Sequence, residues 1–326
     1  MSVRRYLPGV CLLCLGAVLA RAVGTLTGLN RLLVAIALGV VLANGYGIPS
    51  RLAPGLSTHK IWLGTGIVLM GASLTLGTVL DAGPTLLLVI LVVAGTTMLT
   101  VELLAGSVFG LGDRLGSLLA AGSGICGVSA VVAVSGAIRA REEQIAYAAA
   151  TVLLFDSVTL VVYPMVGHLL GLSDVVFGIW AGVSMFSTGP VVAVGFAHSA
   201  TAGQWATVTK LSRNVLIGVV VLGYASYYSG SGGGTPSVRT LWDEFPKFVF
   251  GFLALVAVSS AGLLSAPQRT ALEHGYDWLF LLAFVGLGTE IRLEEFRSTG
   301  VKPALVVLAG LCVASILSLV LLTLLF

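Results

Sequence analysis

Apolar residues run along this chain in stretches too long for an amphipathic stripe, and polar residues are confined to the gaps between them. A hydrocarbon core about 30 Å thick needs roughly 20 apolar residues per helix. On that measure eleven segments are predicted: 6–23, 31–44, 59–77, 84–109, 115–138, 143–170, 174–198, 204–228, 245–264, 276–289 and 303–326, the second and tenth being short. Lipid supplies no partner for a backbone N–H or C=O, so the predicted fold is an all-α polytopic membrane protein, with ten crossings if one segment re-enters. The whole chain, 1–326, is read as one integral membrane domain. Connections are short except at 229–244, where SGSGGGTPS reads as a flexible loop between helices.

Two segments carry punctuation at lipid depth. In AAGSGICGVSAVVAV, 120–134, Gly122, Gly124 and Gly127 alternate with Ser123, Cys126 and Ser129. Glycine weakens a helix where unpaired amides are not tolerated, so the break must face protein or water. A broken helix offers free main-chain groups and half-helix dipoles to a small solute. Displacing the chain by 60 residues lays Gly122 on Gly182 and Val131-Val132-Ala133-Val134 on Val191-Val192-Ala193-Val194. If this repeat is real, GVSMFSTGPVVAVG, 182–195, is a second broken helix with Ser184, Ser187, Thr188, Gly189 and Pro190 at its break. The stretches 70–84 and 285–303 form a second similar pair. Inverted repeats need an odd number of crossings between copies, whereas these 60 residues cover two predicted helices, so the parity does not close.

Composition agrees: of 326 residues 57% are hydrophobic and 10% charged, with mean hydropathy +1.05, which excludes a soluble domain. A net charge of +3 without a basic cluster excludes nucleic-acid binding. Arg4 and Arg5 precede the first apolar run as in a signal peptide, but no cleavage pattern leads to a polar mature chain, so the run is expected to stay as a helix. With the N-terminus cytoplasmic and Lys210 and Arg213 left out, eleven spans put ten Lys and Arg residues inside and five outside; if 174–198 returns to its own side the counts become six and nine. The spanning arrangement is therefore preferred, with the C-terminus outside. Cys11, Cys14, Cys126 and Cys312 all lie in apolar runs, and the Cys11–Cys14 spacing lacks the further ligands of a metal site.

Charges inside spans are few and expensive. Lys210, Arg213 and Asn214 share one helical face, either as a cationic wall for an anion or as residues that snorkel or pair with carboxylates. Asp156, in TVLLFDSVTLVVYP, is either the salt-bridge partner of Lys210 or Arg213 or a carrier of protons or sodium. Glu102 is a second such carboxylate, nearer an interface. His168 and His198 read as surface histidines, and Trp62, Trp180, Trp205, Trp242 and Trp278 as an aromatic belt. No nucleophile with an adjacent base is visible, so no enzyme is expected, and neither a metal nor an organic cofactor is implied beyond a coupling ion, Na⁺ or H⁺.

PGLSTHKIWLGTGIVLMGASLTLGTVL (54–80), GSGICGVSAVVA (122–133), REEQIAYAAATVLLF (141–155), GLSDVVFGIWAGVS (171–184), VVAVGFAHSATAGQWATVTKLSRN (191–214) and GLGTEIRLEEFRSTGVKPALVV (286–307) together resemble the YeiH-type family of proposed sulfate exporters, over nearly the whole chain. The resemblance implies an inner-membrane secondary transporter, distantly similar to the bile acid/sodium symporter and cation/proton antiporter superfamily. It implies two crossing broken helices in a core subdomain that moves against a scaffold subdomain in an elevator-like manner. One departure stands out: where that family usually has a His-Asp-Thr-Ala-Gln run, this chain has Phe186, Ser187, Thr188, Gly189 and Pro190. Asp156 instead occupies a position where the family more often has glycine, as if a carboxylate had moved between neighbouring helices, or the substrate had changed.

The resulting expectation is a secondary active transporter that exports or exchanges a small anion, sulfate or a related sulfur-containing or organic anion. Ser123, Gly124, Cys126, Gly127, Ser129, Ser184, Ser187 and Thr188 would bind it, Lys210 and Arg213 would add positive potential, and Asp156 would couple to H⁺ or Na⁺. The alternatives are a cation/proton antiporter using Asp156 and, from another class, a membrane scaffold or sensor that transports nothing. Expected partners are the small anion and the lipid bilayer, with a homodimer as a further option.

Overall fold

The computed structural model describes residues 5–228, 246–294 and 300–325, with the backbone alone at 78–82. The loop expected at 229–244, Trp242 and part of the 285–303 stretch lie outside the described residues. The described residues are overwhelmingly helical, as an all-α polytopic chain requires, and five helices are long and apolar enough to cross a bilayer. In chain order the helices are α1 Leu7–Thr27, α2 Arg31–Val41, α3 Ala53–Leu56, α4 His59–Met70, α5 Leu76–Leu103, α6 Asp113–Ala121, α7 Val128–Ile138, α8 Glu142–Leu169, α9 Asp174–Ser184, α10 Thr188–His198, α11 Ala200–Asn214, α12 Ile217–Tyr228, α13 Phe248–Ser260, α14 Ala266–Glu290 and α15 Val301–Leu325. The chain divides into two compact units, residues 1–82 with 247–293 and residues 83–246 with 294–326.

In the first unit, helices approach through glycines. A β-carbon on Gly9 would meet the Gly55 Cα at 2.6 Å, and one on Gly39 the Gly288 Cα at 2.8 Å, so α1 packs on α3 and α2 on α14 at backbone distance. Asn30 starts α2 by accepting the Leu32 N–H at 2.9 Å, and the adjacent Arg31 pairs with Asp277 of α14 at 2.5 Å.

The second unit contains the two interrupted segments. Both are broken where the sequence places the punctuation, but neither crosses. At the outer end of 174–198, Asp174 Oδ1 lies 3.4 Å from His198 Nε2, and the Phe177 and His198 rings stack at 4.0 Å. The first residue of α9 is therefore beside the last of α10. Positions along α11 agree: Gly178 and Gly182 of α9 pack on Ala202 and Ala206, while Gly195 of α10 packs back on Ala202 and Ala206, and Thr188 bonds Asn214. Helix α11 thus runs parallel to α9 and antiparallel to α10. Segment 174–198 is a helical hairpin, which corrects the spanning arrangement preferred from the charge count. At about 1.5 Å per residue each eleven-residue arm reaches only about 17 Å.

Segment 115–138 behaves alike. Helix α6 continues into a π-helical turn, Gly122–Cys126, and then reverses, so that a β-carbon on Gly122 would lie 3.0 Å from the Val131 side chain of α7. Lys302 reaches the Phe109 carbonyl at 3.4 Å, and neighbouring Gly300 abuts Tyr147 of α8, which places the start of α6 at the end where α8 begins. Helix α7 stops at Ile138, four residues before Glu142, at that same end. The two hairpins enter from opposite ends of α8 and meet near its middle, with Gly122 against Val152 and Ser187 bonded to Asp156.

This arrangement closes the parity of the repeat. Sixty residues, from Gly127 to Ser187, contain one hairpin arm from each copy and one full-length helix, α8, so the copies are related by a single crossing. Helices α7 and α10 correspond residue for residue at that offset, 128–138 on 188–198.

Candidate functional site

The site forms where the hairpin tips meet α8 and α11. Lys210 and Arg213 of α11 have no exposed surface, and no carboxylate pairs with either among the described residues. Their N–H groups go to main-chain carbonyls. Lys210 Nζ donates to Ile125 O at 2.9 Å and Met185 O at 3.0 Å. Arg213 donates from Nε to Gly124 O at 2.7 Å, from Nη1 to Val183 O at 2.6 Å and Met185 O at 2.8 Å, and from Nη2 to Ser123 O at 2.5 Å.

These acceptors are the last carbonyls of the two inbound arms, α6 with its π turn and α9. A helix leaves its final four carbonyls unpaired and carries about half a negative charge there. Two cations thus cap two C-termini, each binding both tips. Asp156 is not the ion-pair partner expected for these cations, because the tips already use their donors.

The outbound arms begin differently. Gly127 and Ser187 are the N-caps of α7 and α10, and neither makes a side-chain cap, so the first amides of both helices lack an intrahelical partner. Gly127 is at φ 70°, ψ −137°, and a β-carbon there would overlap the Ser187 hydroxyl. Asp156 Oδ1 accepts the Ser187 N–H at 3.0 Å. The carboxylate of α8 therefore sits at residue 187, where the resemblance leads one to expect an aspartate in the hairpin itself. Asn214 donates to Thr188 Oγ1 at 3.1 Å.

The expected site residues separate on this geometry. Ser123, Gly124 and Cys126 are buried in the first tip, Gly127, Ser187 and Thr188 line the junction of the tips, and Ser129 is exposed in the first turn of α7. Ser184 is occupied elsewhere: its Oγ donates to Trp180 O at 2.5 Å and accepts from Tyr163 O–H at 2.9 Å. Trp180, expected in an interfacial belt, is buried, stacked on Tyr163 at 4.2 Å and bonded to Ser315 O at 3.1 Å. His198, expected at the surface, is largely covered at the hairpin base. Glu102 accepts from Tyr224 O–H at 2.7 Å. Asn214, noted in the sequence only as a neighbour of the cations on one face, belongs to the junction; its i, i+4 spacing from Lys210 was the available signal.

Two hairpins entering from opposite ends and meeting at buried charge define a polytopic membrane protein with a polar centre at mid-helix depth. A family model described as "Conserved hypothetical protein 698" matches residues 8–307, and the chain belongs to that family. Relatives named UPF0324 membrane proteins include one from Nitratidesulfovibrio vulgaris, 34% identical over 92% of this chain and 88% of the relative. Another, from Bacillus anthracis, is 31% identical over 96% and 93%, and one from Corynebacterium glutamicum is 31% identical over 92% and 87%.

Proposed function

We propose that the chain is a secondary active transporter of a small anion, working by alternating access with its site at the junction of the hairpin tips. The observation that carries this reading is the asymmetry of capping. Both inbound C-termini are neutralised by Lys210 and Arg213, while at the outbound N-termini the N–H groups of Gly127 and Ser187 are bonded to Gly122 O and Asp156 but the first helical amides beyond them have no side-chain cap, at the positive ends of helix dipoles. Such N-termini favour anions. Asp156 lies at one of them, so in a site of low dielectric the anion binds well only when a cation or proton offsets that charge. Coupling to H⁺ or Na⁺ then follows by linkage, each ligand raising the affinity of the other. The resemblance adds the substrate class, sulfate or a related sulfur-containing or organic anion, and export or exchange by an elevator-like displacement in the inner membrane.

The hairpins also support a cytoplasmic N-terminus. With both returning to their own sides, Lys and Arg residues 5, 51, 60, 114, 139, 141, 247, 292 and 302 among the described residues fall on the N-terminal side and 21, 31 and 269 opposite, nine against three. That bias exceeds the seven to five that the same residues have under eleven spans and favours a C-terminus outside.

Radiolabelled sulfate counterflow in proteoliposomes tests the proposal, with a pH-sensitive dye read in parallel under sodium and potassium pulses. Sulfate exchange lost in Lys210→Ala supports it. Proton movement driven by cations with no anion flux supports the second reading, a cation/proton antiporter, which the unpartnered Asp156 Oδ2 favours. No flux of either kind, with Asp156→Asn and Lys210→Ala leaving any cellular phenotype intact, would point to a scaffold or sensor.

A further inference from the structure

Two buried oxygens at the second hairpin tip have no donor. Asp156 is 3% exposed; its Oδ1 takes the Ser187 N–H, while Oδ2 is buried without a hydrogen bond. Asn214 is 5% exposed; its Nδ2 is on Thr188 Oγ1, while Oδ1 is likewise buried and unpartnered. Ser187 and Thr188 are consecutive, so one dipeptide anchors a carboxylate from α8 and a carboxamide from α11, each with its second oxygen unused. Burial of such an acceptor without a partner is costly. Acceptors cannot satisfy one another, so what completes the site is positively charged or a proton donor.

We propose that Asp156 Oδ2 and Asn214 Oδ1, with hydroxyl oxygens of Ser187 and Thr188, form a site for a sodium ion. The ligand set is hard and all oxygen, which suits an alkali or alkaline-earth cation over a transition metal. It holds one carboxylate, and no group of three His, Cys, Asp or Glu side chains gathers among the described residues, so its single negative charge matches a monovalent ion. The nearby cations do not serve, because Lys210 and Arg213 are turned to the carbonyls of the tips. The Ser187 N–H and the positive end of α10 attract the carboxylate, the form that binds a metal cation. Sodium bound here would tie α8 and α11 to the hairpin tip. It would also neutralise the charge that opposes an anion at the same N-terminus. The proposal names the coupling ion of the transport reading, but its test is binding, so failure of sulfate flux leaves it standing and failure of sodium binding leaves flux to be judged separately.

The experiment is thermal unfolding of the full-length protein, purified in detergent without sodium, on titration with NaCl, KCl or choline chloride at constant ionic strength. A ligand bound only by the folded state raises the unfolding temperature saturably. Sodium is expected to do so while choline does not. Asp156→Asn and Asn214→Ala are expected to raise the half-effective sodium concentration on the order of 10- to 100-fold, the range seen when support of a metal ligand is removed. Ser212→Ala, whose hydroxyl bonds Val208 O on its own helix, should leave it unchanged. Equal effects of all three salts would overturn the proposal. So would stabilisation of the wild type by acid alone, abolished in Asp156→Asn, which assigns the site to a proton. If the site variants do not fold, radiolabelled sodium binding to the wild type decides: saturable binding not displaced by choline supports the site, and none overturns it.

Discussion

Gly127 and Ser187, the N-caps of α7 and α10, touch so closely that a β-carbon at 127 would overlap the Ser187 hydroxyl. Two independent constraints therefore hold glycine at this position, the contact and a backbone at φ 70°, ψ −137° that side-chain-bearing residues rarely adopt. Gly127→Ala is expected to lower the unfolding temperature of the detergent-purified protein markedly. Adding Ser187→Gly should recover the steric part and leave the conformational part, about 1–3 kcal/mol. A double-mutant cycle on thermal unfolding measures the two. Additive effects would show that the tips do not meet there.

The sequence made the breaks legible because glycine and hydroxyl residues at lipid depth have few other uses. The starts of α7 and α10 fall within the stretches singled out, and the 60-residue displacement places them in register. Direction was not legible. A charge count treats an apolar run of 25 residues as a span, and nothing local states that Asp174 will meet His198. The cations show the same division between composition and geometry. The spacing of Lys210, Arg213 and Asn214 fixed their common face, but that the donors would find carbonyls rather than Asp156 depends on two tips far away in sequence. In sequence a hydroxyl near a break looks the same whether it faces a solute or, as at Ser184, the Tyr163 hydroxyl.

Arg213 holds four carbonyls drawn from both tips. Lysine keeps the charge but not the planar fork, so Arg213→Lys is not conservative here. With hydrogen bonds to charged groups worth about 1.5–3 kcal/mol each, loss of two or more should destabilise by several kcal/mol, partly offset by water entering the tips. Lys210→Met, which gives up two such bonds, should cost less. Thermal unfolding of both variants checks the order; Arg213→Lys at wild-type stability would mean that the guanidinium does not cap the tips.

Ser184→Ala removes the acceptor of the buried Tyr163 hydroxyl. An unsatisfied buried hydroxyl costs about 1–3 kcal/mol, and Tyr163→Phe in the same chain should restore most of it. Because this pair serves the packing of α8 on α9, neither variant should alter the concentration dependence of anion exchange. A shift in exchange affinity at unchanged stability would return Ser184 to the binding site.

The base of the second hairpin gives the sharpest test of topology. Asp174 and His198 meet at 3.4 Å, so Ser173 and Ser199, just beyond the two arms, lie at one membrane face. Gly112 and Arg141 flank the first hairpin in the same way and lie at the opposite face, since α8 separates the two. In a background with Cys11, Cys14, Cys126 and Cys312 replaced, single cysteines at these four positions should react with a membrane-impermeant maleimide in matched pairs. The pair at 112 and 141 should be protected in intact cells and the pair at 173 and 199 labelled, as a cytoplasmic N-terminus requires. Spanning segments would split each pair, labelling one member and protecting the other. That outcome would remove the hairpins, the single crossing between repeats and the shared junction of the tips together.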